Sequence, residues 1–341
     1  MTLLLDFYHQ LDDIGEVIVI IHNSGEFLMK KIHAIALLLA LAVAVGNVSA
    51  QDVGAELKKM GETNGKAYVG PLMAGWGAGM NSGWFHSADL HGVLGFDIQV
   101  KAMFAAIPDE DKTYMFQTPA TIGPLTRGTD YPSEVKANTV VGATDPTPVM
   151  SGATEVMKIP GGLDLSGAPF FAPQISIGLP FGLEVMGRFL PTTKLGDAGK
   201  VNFTGFGLRH DVDQYIPLLP LDLAVHFATQ KFNYEDGKGQ KLISASGTAF
   251  GLVASKGLLF LTVYGGFQIE SSSWDIGPYD AQIVTTAGTQ TVTIPQFTIE
   301  GKNKSRVLVG VRLLLAVINV HADYSIASTP VLTAGIGITF R

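Results

Sequence analysis

The feature that most constrains this chain is a two-residue alternation repeated through its last stretch, Lys304 to Arg341. In Val307–Leu313 every odd position is apolar, while the even ones include Gly310 and Arg312. Ala316, Ile318, Val320, Ala322, Tyr324 and Ile326 then share one face, against Asn319, His321, Asp323 and Ser325 on the other. Leu332, Ala334, Ile336, Ile338 and Phe340 alternate in the same way with Thr333, Gly335, Gly337 and Thr339. A period of two is that of a β-strand. Repeated segments of about ten residues, closed by an aromatic terminal strand, match the pattern of a transmembrane barrel. Lipid offers no hydrogen bonds to a peptide group, so a sheet within it must close on itself and turn its apolar side chains outward. The expected fold is all-β, a transmembrane antiparallel β-barrel.

Composition supports this reading. The chain has 341 residues with 40 glycines, and only 16% of its residues are charged. Its mean hydropathy is +0.28. Outside the targeting segment below, no apolar run reaches the roughly 18–20 residues of a membrane-spanning helix. Cysteine is absent, which excludes disulfides, thiolate metal sites and a lipid anchor on an N-terminal cysteine. A net charge of -7 without any basic block argues against a nucleic-acid partner.

Met29-Lys30-Lys31, the apolar run Ile32–Val45 and the small residues Val48-Ser49-Ala50 read as a signal peptide (29–50) cleaved before Gln51. Residues 1–28 read as an upstream mis-start, and the destination is the cell outer membrane. Segment 51–89 is expected to hold a short helix at Ala55–Met60. After it comes the Gly-rich Tyr68–Phe85, with Trp76 and Trp84, as either a plug in the barrel mouth or one more irregular strand. The glycines there weigh against a helix.

The barrel proper is expected over 90–341. Leu94, Phe96, Ile98, Val100, Ala102 and Phe104 face one way; Asp97, Gln99 and Lys101 face the other. Residues 105–168 read as a long extracellular loop with strand candidates near 113–118 and 135–142. Pro173, Ile175, Ile177 and Leu179 lead through the turn Pro180-Phe181-Gly182 to Leu183, Val185, Gly187 and Phe189. Further strands are expected at 200–210, 219–231, 242–254, 258–270, 298–313, 315–326 and 331–340, with a second long loop at 271–297. Adding a pair embedded in 105–168 gives about 12 strands, within a range of about 10–14, with the tight turns on the periplasmic side.

The inward faces supply the candidate site residues: Asp97, Lys101, Glu184, Arg188, Asp222, His226, Lys304, Arg306, His321 and Asp323. A hairpin turning at Leu313-Leu314 would set Arg306 opposite His321 and Lys304 opposite Asp323. Asp222, His226 and Gln230 line up at a spacing of four, as do Glu184 and Arg188. Such residues either line a solute path or pair with one another to fill and rigidify the lumen. An outward Lys or Arg costs about 2–4 kcal/mol at the bilayer midplane, so inward placement follows in both cases.

His210-Asp211-Val212-Asp213 reads as a solvated turn rather than a ligand set, and neither a metal nor a cofactor is expected. His226 or His321 are candidates for a catalytic base. No serine sits in a Gly-x-Ser-x-Gly turn beside them, and an enzyme is not expected. Tyr215, Trp274, Tyr324 and Phe340 fall at or just beyond strand ends, where membrane-interface aromatics belong.

Gly77-Ala78-Gly79-Met80-Asn81-Ser82-Gly83-Trp84-Phe85, continuing to Gly95-Phe96-Asp97, resembles a family of exported bacterial proteins catalogued as domain of unknown function 6588. So does Gly207-Leu208-Arg209-His210 through Tyr215-Ile216-Pro217-Leu218-Leu219-Pro220. The resemblance implies an exported protein and carries no assigned chemistry. A Gly-rich segment ahead of a barrel is also distantly similar to long-chain fatty-acid outer-membrane transporters, whose Asn-Pro-Ala plug motif is missing here. The expected function is a channel or transporter for a small solute, hydrophobic ones included. A structural or adhesive barrel with a filled lumen is the alternative, followed by a lipid-modifying barrel enzyme and a secreted β-sandwich. The expected partners are outer-membrane lipid, that solute, and the barrel-insertion machinery acting on the C-terminal strand.

Overall fold

The computed structural model describes residues 52–194, 199–285, 288–294 and 296–340. The mis-start and signal-peptide readings fall outside the described residues. A helix α1 (Asp52–Met80) comes first, followed by an extended segment to Gly95. Strand β1 (Phe96–Ala106) precedes three small hairpin sheets built from β2 (Thr113–Gln117), β3 (Thr121–Ile122), β4 (Leu125–Thr126), β5 (Glu134–Asn138), β6 (Thr147–Ser151) and β7 (Thr154–Ile159). Next come β8 (Gly167–Leu179), β9 (Leu183–Lys194), β10 (Lys200–Asp211), β11 (Asp222–Glu235), β12 (Lys241–Leu258) and β13 (Leu261–Ile276). A hairpin β14 (Tyr279–Thr285) and β15 (Gly288–Ile294) and the short β16 (Phe297–Glu300) lead to β17 (Ser305–Leu315), β18 (Ile318–Ile326) and β19 (Val331–Phe340).

The wall runs β12-β11-β10-β9-β8-β1-β19-β18-β17-β13, and β12 pairs with β13 to close it. Every pairing within the wall is antiparallel. This gives ten wall strands, the lower end of the expected range. The pair embedded in 105–168 does exist, as β2 against β5. Together with β3, β4, β6 and β7 it stands outside the wall, around its own core of Phe116, Ile122, Tyr131, Ala137, Val149 and Ile159. The 271–297 stretch is likewise not a plain loop: β13 runs on to Ile276, and the β14–β15 hairpin follows it.

The alternation read from the sequence is realised in the wall. Val309 is 59% exposed and Ile336 58%, whereas inward Asn319 and Thr333 are fully buried. Phe171, Phe206, Phe227, Phe250 and Phe267 extend the same apolar belt around the barrel. One register differs from expectation. The turn between β17 and β18 lies at Ala316–Val317, with Leu315 opposite Ile318. Arg312 therefore faces His321, and Gly310 faces Asp323. Ala316 makes this turn at φ 57, a left-handed conformation that an alanine does not advertise.

The helix also departs from expectation, replacing a short helix and an irregular tail with one continuous element through the glycines. The reason is close approach. A Cβ on Gly75 would stand 2.7 Å from the Ala168 Cβ, and one on Gly79 would stand 3.0 Å from the Phe170 Cβ. The bare faces of these glycines let the helix lie against β1 and β8.

Candidate functional site: a plug clasped by the wall

We take the end bearing the long connections as the upper end and the end with the tight turns as the lower. Near the upper end, Tyr68 in α1 donates to Gly161 O at 2.8 Å, and Val140 N donates to Tyr68 O at 2.9 Å. From there the chain descends inside the wall, and Leu94 N meets Gly178 O beside the lower turns. The N-terminal segment thus threads the barrel from top to bottom before β1 begins. Of the two sequence readings for 68–85, the plug is the one found.

Inward side chains hold this thread largely by its backbone carbonyls. Arg188 donates to Met80 O (3.0 Å) and Ser82 O (2.7 Å), and its guanidinium lies 3.9 Å over the Trp84 ring. Lys101 Nζ donates to Gly83 O at 2.6 Å. Arg306 donates to Ala78 O at 2.9 Å while gripping Glu270 through two bonds of 2.8 and 2.6 Å. Gln174 reaches Trp84 O, Gln230 reaches Met80 O, and Gln268 reaches Asn81 O. Trp84 fits because Gly205 and Gly207 leave the wall bare beneath it; a Cβ on either would come within 3.1 Å of the indole.

Below Trp84 the character changes. His86 Nε2 meets Asp97 Oδ2 at 2.9 Å, with the Gln99 and Asn319 amides beside the same nitrogen. The His86 ring lies over that of His321, their centroids 4.9 Å apart. His91 donates through its backbone N (3.1 Å) and Nδ1 (2.7 Å) to Glu184, whose other oxygen accepts from Arg209 at 2.9 Å. Arg209 also bonds Ser87 O. Tyr264 donates to Asp323 at 2.9 Å. Several buried polar atoms here have no partner: Nε and Nη2 of Arg312, both ring nitrogens of His321, His86 Nδ1, Asp97 Oδ1 and Asn319 Oδ1.

The wall residues named from sequence therefore occupy several positions. Asp97, Lys101, Glu184, Arg188, His226, Arg306, His321 and Asp323 are buried inside the barrel. Asp222 is half-buried at the lower rim and accepts from Ser255, which in turn accepts from Ala88 N. Lys304 is exposed ahead of β17, so its pairing with Asp323 fails with the shifted register. Arg306 lies opposite Gln268 in the upper half, well away from His321. Asp222, His226 and Gln230 share a face without contacting one another; His226 meets Gln268 at 3.1 Å, against the Phe85 ring. Trp274 is no interface aromatic: it is 1% exposed and packs on Trp76 and Phe232. Gln99, Arg209, Glu270 and Arg312 were missed as site residues, although strand alternation puts each on an inward face. His86 and His91 come from the plug and carry no periodic signal.

These features define a class, a transmembrane β-barrel of ten strands closed by its own N-terminal segment. The chain matches a family of unknown function, DUF6588, over residues 29–340, and belongs to it. No curated protein matches the sequence. Among solved structures it is similar to the outer-membrane protease OmpT from Escherichia coli, at 10% identity, covering 76% of this chain and 100% of that one, with a TM-score of 0.32. It is also similar to Ail, the attachment invasion locus protein of Yersinia pestis, at 10% identity over 73% of this chain and 99% of that one, TM-score 0.25. A third is Neisserial surface protein A, at 11% identity over 73% and 100%, TM-score 0.25. None of the three is a fatty-acid transporter.

Proposed function

We propose that this protein is an outer-membrane conduit for a small solute, held closed by its own N-terminal plug. The observation that carries the reading is the manner of attachment. Lys101, Arg188, Arg209 and Arg306 hold the plug through hydrogen bonds to its main chain, and a chain without cysteine offers no disulfide to fix it. Bonds of this kind exchange with water at a small net cost each, typically about 1.5–3 kcal/mol when one partner is charged. The plug can then be displaced without unfolding the wall. The apolar upper lumen, with Trp76, Met103, Phe170, Phe203 and Trp274, favours a solute that carries hydrophobic surface. In this reading the chain is exported by the signal peptide at 29–50, cleaved after Ala50. It is inserted through its terminal strand, surrounded by lipid, and catalyses no reaction.

The test is single-channel conductance of the full chain in a planar bilayer. The wild type is expected to stay mostly closed. A double variant, Lys101→Gln with Arg188→Gln, is expected to show long openings while keeping the heat-dependent gel mobility of a folded barrel. Silence from both proteins would favour a second reading, a structural or adhesive barrel with a permanently filled lumen. What supports that second reading is the cap, where 107–166 folds around its own core. A cavity of about 300 Å³ lies between the cap and α1, lined by Lys66, Asp111, Tyr114 and Lys302 among others.

A further inference from the structure

We propose that the lower lumen holds a binding site for a small oxyanion, a carboxylate or a phosphate, with Arg312 as its two-pronged donor and His321 beside it. The inference rests on the conduit reading for its purpose and names the chemistry of the solute.

The argument begins with charge. Among the described residues, the buried cations are Lys101 and four arginines, and the buried carboxylates are Asp97, Glu184, Glu270 and Asp323. With the histidines neutral, this interior lacks one negative charge. Three of the arginines, Arg188, Arg209 and Arg306, have acceptors in the plug or in a glutamate. Arg312 is the exception. It is 2% exposed, yet its Nε and Nη2 have no acceptor. Those two nitrogens form one edge of the guanidinium, the parallel pair that grips two oxygens of a carboxylate or phosphate at once. A buried cation with that edge unmet is costly unless an anion completes it.

The neighbours fit the same ligand. His321 lies directly opposite Arg312 in the β17–β18 register, and neither of its ring nitrogens is partnered. Its ring occupies the space over Gly335, where a Cβ would meet it at 2.2 Å. Thr262 lies opposite Arg312 on the other side, in β13. Of the nearby acids, Glu184 is engaged by Arg209 and His91, Asp323 by Tyr264, and Asp97 by His86 through Oδ2, leaving Asp97 Oδ1 unpartnered. The site stands only a few residues above the Ala316–Val317 turn, below the apolar upper lumen. With the plug displaced, a solute with an acidic head and an apolar body would span the two.

The test uses the full chain, folded in detergent micelles and checked by heat-dependent gel mobility. It is titrated calorimetrically with sodium acetate and with sodium phosphate, against sodium chloride at matched ionic strength. Saturable binding of one or both oxyanions is expected, and the stronger one tells carboxylate from phosphate recognition. Arg312→Gln should weaken binding at least about tenfold, the factor set by losing one charged two-point contact. Arg312→Lys, which keeps the charge and loses the paired edge, should weaken it as well, and it decides the matter if the Gln variant does not fold. His321→Gln should weaken it less. Binding unchanged in Arg312→Lys, chloride binding equal to the oxyanions, or no saturation by either oxyanion would overturn the proposal. An oxyanion-binding barrel that stays silent in both conductance proteins would sink the conduit alone. A conducting barrel indifferent to Arg312 would sink only the present inference.

Discussion

The upper and lower halves of this lumen are filled by one continuous segment and bound to it by different physics. In the upper half, Tyr68, Leu72, Met73, Met80, Met103 and Trp274 form an apolar cluster between α1 and the wall, and bare glycines allow the helix to touch it. Arg306 and Glu270 there form a two-bond pair that also holds Ala78 O, while Arg188 and Lys101 are met by plug carbonyls. In the lower half, the Trp84–Phe85 cluster gives way to three histidines, two arginines and partly unmatched amides. A protein interior satisfies its buried polar groups with few exceptions. Most of these exceptions gather below Trp84, while those above it include the Trp274 indole nitrogen and Gln230 Oε1, and this imbalance marks the upper half as the anchor and the lower half as the place where something else binds.

The sharpest test of that contrast is Arg306→Gln. Removing one partner of a buried ion pair leaves Glu270 uncompensated, which costs about 3–5 kcal/mol. The folded barrel should unfold at clearly lower temperature in micelles, by heat-dependent mobility or by loss of near-ultraviolet signal. A stability equal to wild type would mean that the upper half is no anchor. Next in size is Gly75→Ala. In an isolated helix this change stabilises by about 1 kcal/mol. Here the new methyl meets Ala168 Cβ at 2.7 Å, and neither can swing aside, so the sign should reverse to about 1–3 kcal/mol of destabilisation. An unchanged or higher midpoint would break the claim that the glycines exist for wall contact.

How much of this was legible in the sequence follows from which solvent each residue meets. The outer face was fully readable, since lipid imposes a single rule on every second residue and Ile318, Val320, Ile336 and Ile338 obey it. That Asp97 or Arg188 would point inward was readable from the same rule. The partners were not, because they are main-chain carbonyls of Ala78, Met80, Ser82, Gly83 and Ser87, which leave no mark in a sequence. The helix was hidden because its glycines are poor local formers, and the wall that rewards them is distant in the chain. Pairing of Arg306 with His321 failed on a turn displaced to Ala316, where the left-handed alanine leaves no residue signature. The ten wall strands fall at the low end of the expected range of about 10–14, below the central value of about 12, because alternating hairpins in a folded cap look like hairpins in a wall.

A smaller effect separates α1 from its cap. Burial pushes the Tyr68 phenol up to about 12, and the hydroxyl donates to Gly161 O. Its pKa in the unfolded chain is about 10, so the folded value is the higher one. The contribution of this group to stability is then complete below about pH 10 and fades as pH rises from about 10 to 12. Limited proteolysis of 107–166 should accelerate across that window in the wild type. Tyr68→Phe should show a uniformly looser cap and a shallower alkaline step, the remainder coming from Tyr114 and Tyr131, whose phenols burial also pushes up.

The smallest expected effect is the most informative, because it repeats the first experiment a few residues further along the same strand. Arg312→Gln removes a guanidinium whose Nε and Nη2 have no acceptor, and so removes a desolvation cost along with a charge. In a buffer free of oxyanions its stability should lie within about 1 kcal/mol of wild type, or above it, in contrast to the loss at Arg306. Adding acetate or phosphate should then raise the wild-type midpoint by mass action, since a ligand held only by the folded state stabilises it. The variant should not respond. A loss comparable to that of Arg306→Gln in the absence of oxyanion would show that Arg312 has a structural partner, and the two halves of the lumen would then be alike.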